Sequence, residues 1–296
     1  MNPLNGRRLI HFSPLRYPGG KAKLSPFIKE VLALNGLQDG TYVEPFAGGA
    51  GIAIELLLQG YVGRIEINDL SRPIYAFWKS LRDDGERFAA KVEAVELSVA
   101  EWRRQKEAFS SPSSSEFEVG FAAFYLNRTN RSGVLNGGPI GGLDQTGNFL
   151  IDARFNQVDL SYRIRRIAAL AKCIGVHNED AIAFINRIKS TLPTKSLIYA
   201  DPPYFKKGRQ LYYDFFVERD HQRIAEFFVS NKYSCNWLVS YDDVEEINLL
   251  YQQCRRSQYL IPYSVRECSF GTECMFSSDT LNLPDFGPAD RFSMAS

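Results

Sequence analysis

Histidine is scarce in this chain, with three copies in 296 residues, and the five cysteines are scattered, odd in number and without a Cys-x-x-Cys pair. A structural zinc site and a disulfide framework are therefore not expected, and no metal is assigned. No apolar stretch approaches the length needed to span a membrane. The first twelve residues carry Arg7 and Arg8 but no long apolar run, so no signal peptide is expected. A formal net charge of +1 argues neither for nor against a nucleic-acid partner, which leaves that question to local clusters. A soluble protein in a reducing, cytoplasmic setting is the expectation.

What the chain does have is a substantial apolar content, 45% of residues, enough for one large domain or two. Its organising stretch is Leu197-Ile198-Tyr199-Ala200-Asp201-Pro202-Pro203-Tyr204. A short apolar run carries an acid to its end and stops at two prolines, which cannot continue a sheet ladder. Asp201 is thereby placed at the carboxyl end of a strand, where open α/β sheets hold their ligands. An acid, rigid main-chain carbonyls and a ring within four residues suit a planar amine. Asp201 and the Pro202 carbonyl accept its two hydrogens, and Tyr204 offers a stacking face. A turn with a capping Asp before a helix is the competing reading of the same tetrapeptide.

Upstream, Leu15-Arg16-Tyr17-Pro18-Gly19-Gly20-Lys21 brings glycines and then a cation. It is not a phosphate-binding P-loop, which needs Gly at position 15 and Ser or Thr at position 22. Taken alone it reads as a glycine turn before a helix over Leu24–Leu34. Thr41–Phe46 reads as a strand, Ala47–Gly51 as a glycine turn, and Ile52–Leu58 as an apolar helix, the opening of a nucleotide-binding unit. Ile54 stands where the dinucleotide fingerprint needs glycine, which points to a cofactor without pyrophosphate. Arg64–Asp69 is a second strand ending in an acid, placed to take ribose hydroxyls.

Ser71 and Pro73 start a helix through Ile74–Leu81, after which the alternation of strand and helix lapses until about Lys172. Helices are expected over Phe88–Phe109, Phe117–Leu126 and Leu160–Lys172, with a glycine-rich loop or hairpin at Asn136–Asn148. Residues 72–172 thus read as an inserted lobe, whose arginines, asparagines and hydroxyls suit phosphates and base edges. An ordinary solvated helical lobe accounts equally well for those residue types. The rhythm resumes with a strand at Cys173–His177, a helix at Ala181–Ile188 and the strand before Asp201. Lys206, Lys207 and Arg209 then flank the site with cations, where a nucleic-acid backbone would need them. A helix at Asp220–Val229, a strand at Trp237–Tyr241 and a helix at Val244–Cys254 follow. Strands near Tyr259–Ile261, Ser264–Phe270 and Thr280–Leu283 complete the α/β domain, and a loose tail begins at Pro284.

Five segments in this order resemble the Dam-like, adenine-specific DNA methyltransferases: RYPGGK at 16–21, VEPFAGGAG at 43–51, INDLSRPIYAFW at 67–78, FYLNR at 124–128 and DPPY at 201–204. The resemblance implies a Rossmann-like α/β fold with a seven-stranded, mostly parallel sheet and one reversed strand. Residues 1–71 and 173–296 would form the catalytic domain, and 72–172 a mainly helical target-recognition lobe. It also implies S-adenosylmethionine as methyl donor, held by Tyr17, Lys21, Glu44, Phe46, Gly48, Asp69, Asp180 and Asp201. Asp201, Pro202 and Tyr204 would be the catalytic set. DNA contacts would come from Arg128, Asn130, Arg131 and Ser132, with Lys206, Lys207 and Arg209 on the backbone.

After Leu126-Asn127-Arg128 the sequence runs Thr129-Asn130-Arg131-Ser132-Gly133, where Dam itself is tyrosine-rich. Its GATC target therefore does not carry over. No cysteine follows a proline, which excludes attack through a ring carbon of cytosine. Three readings stay open beside the adenine one: an amine-directed enzyme acting on cytosine, RNA or protein glutamine, a catalytically silent DNA-binding protein of the same fold, and, as to setting, an orphan enzyme or the partner of a restriction or defence system.

Overall fold

In the computed structural model the described residues are 12–16, 21–206, 216–232, 234–264 and 268–284, with side chains left out at 261–264 and 268–271. The strands are β1 (Thr41–Glu44), β2 (Arg64–Asn68), β3 (Ile174–His177), β4 (Ser196–Ala200), β5 (Trp237–Asp242), β6 (Arg255–Ser264) and β7 (Cys268–Ser277). They form one seven-stranded sheet in the order β3-β2-β1-β4-β5-β7-β6. β1 to β5 pair in parallel, while β7 runs antiparallel to both β5 and β6. The reversed strand implied by the resemblance is β7.

Strand residues alternate strictly between two cores, as a pleated sheet covered on both faces requires. Tyr42, Leu197, Tyr199, Leu238 and Met275 point into one core. Val43, Ile198, Ala200, Val239, Cys274 and Phe276 point into the other. The first core is closed by helices α1 (Ser25–Leu34), α2 (Gly51–Leu58), α3 (Arg72–Ala94), α5 (Glu116–Thr129) and α6 (Gln157–Ala168). The second is closed by α7 (Ala181–Ile188), α8 (Glu218–Ser230) and α9 (Glu245–Leu250). Phe77, Phe88 and Phe124 of the helical lobe belong to the same core cluster as Tyr42 and Leu197 of the sheet. The lobe is therefore built onto the sheet rather than around a centre of its own.

Local differences from the sequence reading have simple causes. The helix expected to stop at Leu81 continues to Ala94, bending at Asp84 (φ −131°, ψ 35°) instead of ending there. The break comes at Val95–Ser98, where the Ser98 hydroxyl accepts the Glu101 amide and starts α4 (Val99–Ser110). Gly120 lets α5 lie against α3, since a Cβ there would sit 2.4 Å from the Ala76 carbonyl oxygen. Thr280–Leu283 is not a strand; the hairpin of β6 and β7 takes up the sheet edge with ten-residue arms. The glycine-rich segment after Asn136 makes a single bridge, Asn130 to Pro139, and otherwise stays a loop. The tail beyond Pro284 lies outside the described residues. Among the described residues no helix is long and apolar enough to cross a membrane.

Candidate active site

β1 is the strand at which the sheet order reverses, with β2 on one side and β4 on the other. In open α/β sheets the carboxyl ends flanking such a reversal form the ligand crevice. Glu44 closes β1, Asp69 follows β2 and Asp201 follows β4, so three acids from distant parts of the chain meet at one edge.

The Asp201 side chain keeps 19% of its surface. Its Oδ1 accepts the Ser240 hydroxyl at 2.7 Å and lies 3.5 Å from the Lys21 ammonium. Among the described residues nothing donates to Oδ2. Tyr199 and Ser240 share a hydroxyl hydrogen bond of 2.8 Å, which holds Ser240 in place from the neighbouring strand. Burial pushes Asp201 up to about 6, against the pull of Lys21, with Glu273 adding to the rise.

Lys21 is itself buried, and its ammonium donates to Glu273 and, at 2.7 Å, to the Tyr204 hydroxyl. Glu273 also accepts the hydroxyls of Tyr204 and Tyr259, each at 2.6 Å. Burial works against its charge, but Lys21 and the two hydroxyls hold its carboxyl below the usual carboxylate range. Tyr204, expected to offer an open ring face, is 2% exposed here and tied into this cluster by its hydroxyl. The turn that carries it is pinned by Asp242, whose carboxylate accepts the Phe205 and Lys206 amides at 2.9 and 3.0 Å.

Around the glycine turn, Asp69 takes the Gly48 amide on Oδ2 at 2.8 Å and the Ser71 amide on Oδ1 at 2.9 Å. Gly48 has φ +45°, the left-handed region that glycine enters without steric cost. Glu44 is buried and accepts the Ala53 amide at 3.1 Å, the first turn of α2. Burial raises it to about 8. Phe46 is half-buried and packs edge-on against Phe216 at 5.8 Å. Asp180 caps α7, accepting the Ile182 and Ala183 amides at 3.2 and 3.1 Å, and pairs with Arg223 at 2.5 Å. All three contacts fall on its Oδ1.

The residues expected to read DNA divide in two. Arg131 and Ser132 are exposed at the end of α5. Asn130 is completely buried: its amide donates to the Val134 and Leu135 carbonyls, and its oxygen accepts the Trp102 indole at 2.7 Å. Through these bonds it holds the loop that follows α5. Arg128 is also turned inward, its Nε donating to the Pro14 carbonyl at 2.6 Å. Burial, then the neighbouring Arg163 and Arg16, lowers its guanidinium to about 9. Lys206 is exposed and 3.9 Å from Glu246. Tyr17, Lys207 and Arg209 lie outside the described residues.

A model of the D12 class N6 adenine-specific DNA methyltransferases matches residues 17–265, most of the chain. The chain belongs to this family. A curated relative, the type II methyltransferase M.MjaIII of Methanocaldococcus jannaschii, is 22% identical over 237 residues, covering 72% of this chain and 78% of that protein. Adenine-specific DNA methylation is therefore its activity, and membership implies S-adenosylmethionine as methyl source and DNA as substrate.

In this D12-class enzyme the surroundings of Asp201 include groups that no motif signalled. Glu273, Tyr259 and Ser240 come from β7, β6 and β5, and Glu273 falls between the strands expected at 264–270 and 280–283. Asn127, quoted only as part of FYLNR, clamps the main chain of Arg16: its oxygen accepts the Arg16 amide and its amide donates to the Arg16 carbonyl, both at 2.7 Å. Ser13, just before, donates to the Gly49 carbonyl at 2.5 Å. The N-terminal segment therefore runs between the lobe and the glycine turn, fixed to each.

Proposed function

We propose that Asp201, the Pro202 carbonyl and Tyr204 form the catalytic set of this adenine methyltransferase, acting on a base swung out of duplex DNA. The observation that carries this reading is the state of the Asp201 carboxylate. Oδ1 is fixed by Ser240 and Lys21, while Oδ2 accepts from no described residue and the side chain still reaches solvent. One oxygen is oriented and the other is left to accept an amine hydrogen.

The amine of adenine is a poor nucleophile because its lone pair is delocalised into the ring. Accepting one hydrogen at Asp201 and the other at the Pro202 carbonyl localises that pair. Positive charge gathers on the nitrogen as the new bond forms, so its attraction to Asp201 grows towards the transition state, which is the condition for raising the rate. Swinging the base out of the stack costs a few kcal/mol. Stacking on Tyr204 offsets about 1–3 kcal/mol of that, once the ring leaves the hydrogen-bonded position it holds in this structure.

The donor set fits S-adenosylmethionine, which when bound supplies an electrophilic methyl group on a sulfonium. Asp69 at the end of β2 suits ribose hydroxyls, and the turn from Glu44 to Gly51, with Phe46 and Gly48, suits the methionine end. Glu44 is buried near Asp201 and needs a cation to ionise at neutral pH, a role an α-ammonium fills. Lys21 and Tyr17 complete the set. Asp180 is the weakest member: its Oδ1 is taken by the helix cap and Arg223, which leaves Oδ2 for a ligand. Residues 72–172 serve as the target-reading lobe, with Arg131 and Ser132 as base readers and Lys206, Lys207 and Arg209 on the phosphates.

The test is to express the chain in a host without DNA methylation and sequence that host's DNA by a modification-sensitive method. N6-methyladenine in one short sequence context is expected; methyl groups on cytosine, or none, would contradict it.

A further inference from the structure

We propose that Glu273, contributed by the reversed strand β7, is a positioning residue that sets the charge of the methyl-transfer site. It neutralises Lys21, so that Asp201 meets the reacting amine as an uncompensated anion. The proposal rests on the reading of Asp201 given above.

The geometry behind it is a buried row of three charges. Lys21 Nζ is in contact with Glu273 and 3.5 Å from Asp201 Oδ1. Glu273 is 0% exposed and sits in register with Asp242 on β5 and Tyr259 on β6. An ammonium alone beside Asp201 would oppose the arrival of positive charge on the base. With Glu273 present the row carries one net negative charge.

The other titratable groups facing Asp201 leave that sum unchanged near neutrality. Glu44 is raised to about 8 by burial and is largely protonated in the cofactor-free protein. Tyr42, Tyr199, Tyr241 and Tyr259 are buried and pushed well up, so they stay neutral. Tyr204 donates its hydroxyl proton to Glu273 and does not supply charge. The charge that balances Lys21 is therefore Glu273, and a hydrogen-bonding role alone would not need an ionised group there.

The test titrates Asp201 directly in cofactor-free protein labelled with carboxyl-13C aspartate, its signal assigned by loss in Asp201→Asn. The inflection of the unsubstituted protein is expected near 6. In Glu273→Gln it should fall by about one pH unit or more, because a nearby anion has gone while the cation remains. In the paired variant Lys21→Met/Glu273→Gln it should rise above the unsubstituted value, since Lys21 acts on Asp201 more strongly than Glu273 does. Tyr259→Phe, which removes a hydrogen bond but no charge, should leave it in place. Turnover at saturating DNA and cofactor should fall about tenfold or more in Glu273→Gln, the rate equivalent of about one pH unit of interaction.

An Asp201 inflection that stays put or rises in Glu273→Gln overturns the proposal, as does turnover at the unsubstituted rate. Should that variant not fold, the paired variant decides by the direction of its shift, because it removes one buried cation and one buried anion together and keeps the net charge of the row. Methylation by Asp201→Ala is a different result: it removes the active-site reading itself, whereas an unmoved titration removes the role of Glu273 alone.

Discussion

Ser240 donates its hydroxyl to Asp201 Oδ1 over 2.7 Å, across the boundary between β5 and the turn that follows β4. That hydrogen bond favours the ionised acid, against the burial that raises Asp201 to about 6. The proposed reading has Asp201 act in its ionised form, so kcat/KM should fall as pH drops through about 6. Ser240→Ala removes a stabiliser of the anion, which raises the Asp201 pKa and moves that limb to higher pH. A pH–rate profile for the two proteins checks both the position of the limb and the direction of its movement.

Asn130 and Arg131 are neighbours in opposite surroundings, one buried and one exposed, and substitution should separate them. Asn130→Ala leaves the Trp102 indole and two carbonyls without their partner, at a cost of roughly 1–3 kcal/mol of stability. Thermal unfolding should register that loss, with the methylated sequence context unchanged in the protein that remains folded. Arg131→Ala, at an exposed position, should leave the melting temperature where it is and weaken DNA binding or relax the context.

The sheet and the strand-end acids were legible in the sequence because their signals are local. An apolar run stopped by two prolines, and a glycine turn between a strand and a helix, announce themselves within ten residues. The surroundings of Asp201 were not legible. Lys21 and Ser240 reach it from a turn and a strand far apart in the chain, with Glu273 behind Lys21. A serine inside an apolar strand looks like a tolerated polar residue, and Glu273 falls between two expected strands. For Asn130 and Arg128 residue type suggested base reading, whereas burial, invisible locally, turns both side chains inward in this structure. The helix break at Val95–Ser98 was missed because Asp84 and Gly85 look like a stop, yet cause only a bend.

Glu44 should reveal itself through stability. Burial holds its carboxyl at about 8 in the folded protein, well above its unfolded value, so the folded state keeps a proton that the unfolded state loses. The stability this contributes is complete below the unfolded pKa and disappears as pH rises through about 8. Glu44→Gln cannot ionise, and in cofactor-free protein it should be more stable than the unsubstituted chain at alkaline pH, by up to about 5 kcal/mol for a shift of this size. The difference should vanish only below the unfolded value of 4.5. Denaturant titrations at the two pH values measure it.

Tyr204 is held by its hydroxyl in this structure, and the proposed reading places its ring against a base. Tyr204→Ala should lower single-turnover methylation by about ten- to a hundredfold, the rate equivalent of losing about 1–3 kcal/mol of stacking. Tyr204→Phe keeps the ring and should retain most of that rate.

The central claim is that the carboxylate of Asp201 accepts the amine of the target adenine. Single-turnover methylation by Asp201→Ala, measured beside its DNA affinity, tests it most directly. A rate reduced by about a hundredfold or more, equivalent to losing about 3 kcal/mol of transition-state stabilisation, with DNA binding retained, is the expected result. Methylation near the unsubstituted rate by the folded variant would contradict it.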